Sequence, residues 1–425
     1  MNILLINHYA GSDHLGMEYR PFYLAREWAA AGHRTTIIGA SFSHLRTHQP
    51  APGADLAVSE EDGVRFRWLR TRPYQGNGVG RVVNMAGFVS KLYAYADRIA
   101  HEERPEVVIC SSTYPLDIYP GVRIARKAGA RLVFEVHDLW PLSPMLLGGY
   151  SPRHPYIAFM QMAEDTAYRV ADTVVSILPH TLEHMVGRGM DPRKFAYVPN
   201  GVVLPGASTP APVPLPEPVV ACVAAERARG RFLVGYVGGM NPSNAVGKLI
   251  DAAERLAGAP VSFLLAGAGS EAEALRARVA ALGLDTIHLV GSIPKLSVPD
   301  FLKRLDAGVM PWFSSPLHRY GVSHNKMFDY MLAARPVIQA NDAPDALATE
   351  AGCGVAVPSG DPAAMAEAIL ALSRRPAAER QGMGENGRRY VLKHHDYRVL
   401  AARFLKAVQP ACVVPLTAAE AFRAV

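Results

Sequence analysis

The chain has 425 residues, of which 49% are hydrophobic and 19% charged, and its formal net charge is +6. Its length exceeds what one ordinary hydrophobic core holds and predicts two domains, and its composition excludes a disordered chain. The modest positive charge fits a protein that handles phosphates or touches anionic lipid, and we expect no nucleic-acid partner.

Strand and helix patterns alternate from the N-terminus onward. We predict strands at 3–7, 35–39, 107–110, 132–137 and 173–177, and a helix at 19–31 with an apolar face. This alternation predicts a parallel sheet covered by helices. The loop after the first strand contains Gly11 and Gly16, which would let the backbone approach a ligand closely.

Residues 63–96 contain no acidic residue but five arginines, namely Arg65, Arg67, Arg70, Arg72 and Arg81. The segment predicts a β-hairpin followed by an amphipathic helix. Two interpretations stay open for it. It is either a solvated surface or a surface that meets anionic lipid or a lipid-diphosphate acceptor.

His137 is the last residue of the predicted strand at 132–137, in the segment Glu135-Val136-His137-Asp138. Open α/β sheets bind their ligands at the carboxyl ends of strands, so this position favours a functional histidine. A lone histidine has a structural role more often than a functional one.

A proline-rich segment at 205–218 predicts an extended linker, and the alternation restarts after it. Strands are predicted at 232–237, 261–266, 287–290 and 308–310, each leading into a Gly or Pro turn. We therefore expect a first domain at 1–204, the linker at 205–218, a second domain at 219–395, and a C-terminal helix (397–408) and tail within 396–425.

The segment 321–338 reads as a loop, a helix and a strand. A helix that begins after a loop of Gly, Ser and Asn offers free N–H groups and the positive end of its dipole to an anion. Ser323, His324 and Asn325 lie at this start, Lys326 adds a full charge, and Asp329 follows one turn later, placed to accept hydrogen bonds from hydroxyl groups. A phosphate beside a polyol is what a sugar nucleotide presents.

These residues resemble the donor-binding segment of retaining family-4 glycosyltransferases, and the run Asn-Lys-hydrophobic-Phe-Asp-Tyr-Met is similar to bacterial O-antigen and capsule transferases of the N-acetyl-L-fucosamine transferase type. The resemblance implies the GT-B fold, with two Rossmann-like α/β domains facing a central cleft. It implies that the acceptor binds the first domain and the donor the second, and that the C-terminal helix crosses back to the first domain.

The same resemblance assigns roles to single residues. It implies that Asp329 holds the ribose, that His137 faces the donor sugar, and that Gly11 and Gly16 lie near the diphosphate and the acceptor. It implies that the loop around Ile293 reads the base with its backbone, although a plain strand-to-helix turn is the alternative for that loop.

Two positions depart from the family pattern. Gly321 stands where the family usually has the first Glu of an E-x7-E pair, and Gly239 stands where an Arg usually helps to clamp the diphosphate. We therefore expect backbone N–H groups at Gly238 and Gly239, with Lys326, to bind the phosphates.

The sequence does not contain the motifs of several other kinds of enzyme or metal site. The four cysteines are far apart, so a structural zinc site and a disulfide framework are not expected, and the family resemblance implies no metal ion. The chain also lacks D-x-D, H-E-x-x-H, G-x-S-x-G and the Walker lysine motif. It opens directly on a strand pattern and has no long apolar run, so we expect a cytoplasmic protein that meets the inner membrane peripherally, if at all.

The sequence thus predicts a metal-independent, retaining hexosyltransferase that needs no cofactor beyond its nucleoside-diphosphate sugar, with UDP favoured. The acceptor would be a polyprenyl-diphosphate-linked saccharide of lipopolysaccharide or another surface polysaccharide. Two alternatives stay open, a UDP-sugar 2-epimerase of the GT-B fold and a non-catalytic sugar-nucleotide-binding partner protein.

Overall fold

The computed structural model describes residues 1–76, 78–204, 213–323 and 325–409. The chain forms two compact units. The first contains Met1–Ile177, Thr181–Val198 and the residues from Arg398 onward, and the second contains Leu178–His180 and Pro199–Tyr397. Each unit is an α/β domain built on a largely parallel sheet, which confirms the predicted fold class.

Among the described residues up to Val198, the first unit carries eight strands and seven α-helices. The strands are β1 (Asn2–Ile6), β2 (Arg34–Ala40), β3 (Ala57–Glu61), β4 (Val64–Leu69), β5 (Val107–Cys110), β6 (Arg131–Val136), β7 (Thr173–Ser176) and β8 (Phe195–Tyr197). The helices are α1 (Arg20–Ala30), α2 (Val79–Ala94), α3 (Ala96–Glu103), α4 (Ile118–Ala128), α5 (Leu142–Gly148), α6 (Pro155–Val170) and α7 (Leu182–Gly187).

The sheet of the first unit has the order β3-β4-β2-β1-β5-β6-β7-β8. Among the described strands β3 alone runs antiparallel, paired with β4. The hairpin was predicted within 63–96, but its first strand lies before that segment. The strands β1, β5, β6 and β7 are nearly continuous apolar runs, as expected for parallel strands covered on both faces. The order reverses between β1 and β5, so the loops after these two strands and after β6 share one edge.

The second unit carries six strands and eight helices. The strands are β9 (Phe232–Val237), β10 (Val261–Ala266), β11 (Ile287–Gly291), β12 (Ala307–Met310), β13 (Val337–Ala340) and β14 (Gly354–Val357). The helices are α8 (Glu217–Ala228), α9 (Val246–Arg255), α10 (Ala272–Ala281), α11 (Val298–Lys303), α12 (Asn325–Leu332), α13 (Leu347–Glu350), α14 (Pro362–Arg374) and α15 (Ala377–His394).

All strands of the second sheet are parallel, in the order β11-β10-β9-β12-β13-β14. Alternate side chains of β9 enter two different apolar clusters, with Val234 and Tyr236 in one and Leu233 and Val237 in the other. The strand order reverses between β9 and β12. In open α/β sheets such a reversal leaves a crevice at the carboxyl ends of the strands, where ligands bind.

The proline-rich segment was predicted as linker up to residue 218, but Glu217 and Pro218 already form the first turn of α8. Proline suits this position because the first helical N–H groups have no intrahelical partner. Residues 205–212 of the predicted linker lie outside the described part of the chain.

The last described helix is α16 (Tyr397–Val408). From Arg398 onward it belongs to the first unit, where Trp28 Nε1 donates to the carbonyl of Ala401 (3.0 Å) and the ring of Trp28 packs on that of Phe404. The predicted tail beyond Gln409 lies outside the described residues.

Candidate active site

Helix α12 is held against the sheet of the second unit by its apolar face. Met327, Phe328 and Met331 are buried in one cluster with Val237 of β9. The hydroxyl of Tyr330 accepts a hydrogen bond from the N–H of Val237 at 3.0 Å. These contacts place the start of α12 beside the end of β9, next to the reversal of strand order.

Lys326 extends from the first turn of α12 to the loop after β9. Its ammonium group donates to the hydroxyl of Tyr236 at 3.0 Å and to Oδ1 of Asn244, and it lies 5.0 Å from the centroid of the Tyr236 ring. Burial lowers the pKa of Lys326 to about 8. The second unit therefore holds a fixed, partly desolvated cation at the edge where its sheet binds ligands.

Gly238 makes room for this lysine. A Cβ atom on Gly238 would lie 2.2 Å from Cε of Lys326, so any other residue would displace the lysine stem. The N–H of Gly238 already donates to the carbonyl of Ala266 at 3.0 Å. The N–H of Gly238 is thus bonded within the second unit, and the residue makes room for Lys326 by its lack of a side chain; its donation to a phosphate stays a prediction.

Gly239 is less crowded than its neighbour. The nearest atoms to a Cβ on Gly239 would be the side-chain nitrogens of Asn241 and Asn244, at 3.2 and 3.6 Å. A side chain at this position would thus meet only the ends of two polar side chains. The departure from the family's Arg at Gly239 is not imposed by the local backbone.

Asp329 lies one turn beyond Lys326 and is partly buried. Burial raises the pKa of its carboxyl to about 6, against the opposing effect of the positive charge of Lys295. A hydrogen bond from a ligand hydroxyl therefore stabilises this partly buried carboxyl group more than it would stabilise one in water.

The remaining predicted donor residues lie around the start of α12 or beside it. Ser323 Oγ accepts from the N–H of Asn200 at 3.1 Å, so this hydroxyl is already used within the second unit. Asn325 is exposed at the first position of the helix. Ile293 packs, partly buried, against the apolar cluster that holds α12. His324 lies outside the described residues.

Gly321 is required by its backbone. Its φ is +89°, and a Cβ would lie 2.4 Å from Cδ of Pro179, which belongs to the same unit. A glutamate at this position would be strained in conformation and would clash with the proline ring. The loss of the family's first acidic side chain is therefore built into the fold of this chain.

In the first unit, Gly11 and Gly16 come together in the loop after β1. A Cβ on Gly11 would lie 1.8 Å from the carbonyl oxygen of Gly16. The N–H of Gly11 donates to the carbonyl of Glu18, and Gly16 exchanges two hydrogen bonds with Ser12. Both glycines therefore shape the loop, and their N–H groups are already bonded.

His137 is nearly buried at the carboxyl end of β6, in the first unit. Its Nε2 lies 3.1 Å from Glu135 Oε2 and 2.9 Å from Ser111 Oγ. Glu135 is itself fully buried and forms a salt bridge with Arg20, whose Nη2 lies 2.9 Å from Oε1. Burial alone would raise the pKa of Glu135, but Arg20, His137 and Ser111 hold it well below its usual range.

The sequence did not reveal the side chains that position these groups. Tyr236 and Asn244 hold Lys326, while Arg20, Ser111 and Glu135 surround His137. The one available signal was Glu135, a charged residue between apolar neighbours in β6. Such a residue is buried only when it is paired.

The arginine-rich segment is partly neutralised inside the first unit. Arg67 is buried and pairs with Glu102 and Glu103, and Arg65 pairs with Glu103 at 3.4 Å. Arg65 and Arg67 therefore do not form the predicted lipid-facing surface. Arg70 and Arg72 are exposed.

In the described part of the chain, no helix is both long and apolar enough to cross a bilayer. The His, Cys, Asp and Glu side chains of the described residues form no group of three that could hold a metal ion.

The solved structures similar to this chain share its fold. Sucrose-phosphate synthase from Thermosynechococcus elongatus is 19% identical, with coverage of 95% of this chain and 97% of the other and a TM-score of 0.68. HepE of Anabaena in complex with UDP is 15% identical, with coverage of 96% and 99% and a TM-score of 0.66. WaaG, a glycosyltransferase involved in lipopolysaccharide biosynthesis, is 14% identical, with coverage of 96% and 100% and a TM-score of 0.64.

No curated protein sequence gave a significant match. Two family models match the sequence. The family described as Glycosyl transferase 4-like domain matches residues 16–201, and the family described as Glycosyl transferases group 1 matches residues 231–375. The chain therefore belongs to the family-4, group 1 glycosyltransferases, and it has their GT-B fold.

Proposed function

We propose that this chain is a retaining, metal-independent glycosyltransferase that moves a sugar from a nucleoside-diphosphate sugar, with UDP as the favoured nucleotide. The observation that carries the proposal is Lys326, a desolvated cation held by Tyr236 and Asn244 where the strand order of the second sheet reverses. The complex of HepE with UDP supports the choice of nucleotide.

In this proposal the second unit stabilises the leaving diphosphate. Negative charge develops on the departing phosphate oxygen, and the ammonium of Lys326 and the N–H groups of the first turn of α12 are fixed in advance to receive it. Asp329 accepts hydrogen bonds from the ribose, and the backbone around Ile293 contacts the base. The acceptor hydroxyl itself attacks the anomeric carbon as the bond from that carbon to the phosphate oxygen breaks, and the departing oxygen takes the hydroxyl proton, so no side chain is needed as nucleophile or base.

In the first unit, His137 orients the donor sugar and the loop of Gly11 and Gly16 serves the acceptor. We propose a polyprenyl-diphosphate-linked saccharide of lipopolysaccharide or another surface polysaccharide as this acceptor. The description of WaaG as a lipopolysaccharide enzyme supports this pathway. The protein would work in the cytoplasm, in peripheral contact with the inner membrane.

The surface best suited to that contact lies on α5 and α6. Leu147, Phe159 and Met162 are apolar and at least half exposed, and residues 139–163 contain no acidic side chain. Exposed apolar side chains in a neutral to basic segment favour an anionic bilayer. The exposed apolar side chains of α5 and α6 thus replace Arg65 and Arg67 as the proposed lipid surface.

Transfer is tested by incubating the protein with labelled UDP-sugars and GDP-sugars and a bacterial lipid extract. We expect label in the lipid fraction with one donor, and its loss in Lys326→Ala. Interconversion of UDP-sugars without any acceptor would establish the epimerase instead. Nucleotide binding without any turnover would establish the non-catalytic partner protein.

Membrane contact is tested by co-sedimentation with vesicles of phosphatidylglycerol and phosphatidylethanolamine. We expect the triple variant Leu147→Ser, Phe159→Ser and Met162→Ser to lose binding, and Leu282→Ser, an exposed apolar residue of the second unit, to retain it. Equal binding by both variants would contradict the proposed surface.

A further inference from the structure

We infer that Glu135 and Ser111 fix the protonated nitrogen of His137, so that this histidine recognises a hydrogen-bond donor on the substrate. Glu135 has a very low pKa and therefore acts only as an acceptor. Its Oε1 receives Nε and Nη2 of Arg20, at 3.0 and 2.9 Å. Its Oε2 remains for Ser111 and His137.

The hydroxyl of Ser111 donates its hydrogen bond to Glu135. Ser111 Oγ lies 2.6 Å from Oε2 of Glu135, a distance typical of a hydroxyl that donates to a carboxylate. If Nε2 of His137 carried no proton, the one hydroxyl proton of Ser111 would have to serve three close contacts among Glu135 Oε2, Ser111 Oγ and Nε2, and two of them would bring lone pairs together. Such an arrangement is strongly unfavourable in a buried place.

The proton of neutral His137 therefore lies on Nε2. That nitrogen faces two acceptors, Ser111 Oγ at 2.9 Å and Glu135 Oε2 at 3.1 Å. Nδ1 is left with its lone pair, and within the part of the chain that the structure describes it has no hydrogen-bond partner. Because Nε2 faces two fixed acceptors, it carries the proton of the neutral ring and Nδ1 is left bare.

A bare Nδ1 accepts a hydrogen bond and cannot give one. The substrate group that meets it must carry an O–H or N–H, as a sugar hydroxyl or the amide of an acetamido sugar does. A group that only accepts, such as fluorine, a carbonyl or an ether, leaves Nδ1 unpaired. Glu135 is on this account a positioning residue that sets the specificity of His137. The substrate part of this inference rests on the proposed function, whereas the proton position does not.

The proton position is tested by NMR on protein labelled with ¹⁵N-histidine, at about pH 8.5, which is well above the ordinary pKa of a histidine side chain. The His137 signals are assigned by their absence in His137→Gln. We expect an unprotonated Nδ1 in the wild type and in Ser111→Ala, because Glu135 still accepts there, and a loss of this preference in Glu135→Gln. A proton on Nδ1 in the wild type would overturn the inference, whether or not Glu135→Gln folds.

The specificity is tested with donor sugars in which each hydroxyl is replaced in turn by fluorine. At one position we expect a loss in kcat/KM of about 10- to 100-fold in the wild type. In His137→Ala the loss at that position should shrink to the electronic effect of fluorine alone. Equal losses of kcat/KM in the wild type and in His137→Ala at every fluorinated position would overturn the proposed role of His137 in specificity. A chain that transfers no sugar would refute the proposed function, while the NMR result would still decide the proton position.

Discussion

Replacing Lys326 by alanine should remove the main fixed charge of the proposed diphosphate site without weakening the fold. With a pKa of about 8, this lysine is about nine-tenths protonated at pH 7. A hydrogen bond to a charged group contributes about 1.5–3 kcal/mol, so UDP should bind about 10- to 150-fold more weakly to Lys326→Ala. Stability should be equal or higher, because burial disfavours the charged amine in the folded state.

Isothermal titration calorimetry with UDP and with uridine provides the assay. The loss should appear for UDP and be absent for uridine, which carries no phosphate. In the wild type the affinity for UDP should fall as pH rises above about 8, and in Lys326→Ala this fall should be absent. Lys248→Ala, which removes an exposed lysine of the same unit, is the matched control. Equal losses for uridine and UDP, or an unchanged affinity for UDP, would refute the reasoning.

Three further substitutions test the neighbouring residues. Gly321→Glu should lower the free energy of unfolding in urea by about 1–3 kcal/mol, because Gly321 has a positive φ and a Cβ there would contact Pro179. The control is Gly382→Glu, where a Cβ meets nothing within 4 Å, and this variant should not lose stability. Equal stabilities of the two variants would contradict the prediction. Gly239→Arg should fold normally and bind UDP more tightly in calorimetry, and a weaker affinity would show that the space beside it is not available. Asp329→Asn should raise the Tm at pH 7.5, where the wild type must bury a charge. The gain should become much smaller near pH 4, which lies well below the folded-state pKa of about 6 and close to the ordinary value of 3.8; a gain of equal size at pH 4 would argue against this cause.

Much of the fold follows from the sequence because buried parallel strands are short apolar runs that end at glycine or proline. The predicted strands at 232–237 and 261–266 coincide with β9 and β10, and the predicted C-terminal helix coincides with α16. The predicted apolar face of α1, namely Phe22, Leu24, Ala25 and Trp28, is fully buried. These features depend on local pattern and on burial, and both are visible in a single chain.

The partners within the site were not predictable, because they depend on contacts between distant parts of the sequence. Tyr236 lies 90 positions from Lys326, and its hydroxyl becomes a ligand of the lysine only when β9 lies beside α12. Gly321 reads in the sequence as a lost acidic residue, but Pro179 and the positive φ show that the backbone requires a glycine. Glu135 was visible as a charge in an apolar strand, but its partner Arg20 was not.

The central claim is that the second unit binds a nucleoside diphosphate, and a thermal-shift titration tests it most directly. The protein is heated with UDP, GDP and their sugar conjugates, with and without EDTA. At a concentration one hundred times the dissociation constant, a bound ligand stabilises the folded state by about 2.7 kcal/mol. We predict that one nucleotide and its sugar conjugates raise the Tm, that EDTA leaves the shift unchanged, and that the shift is clearly smaller in Lys326→Ala. A Tm that no nucleotide changes would contradict the account.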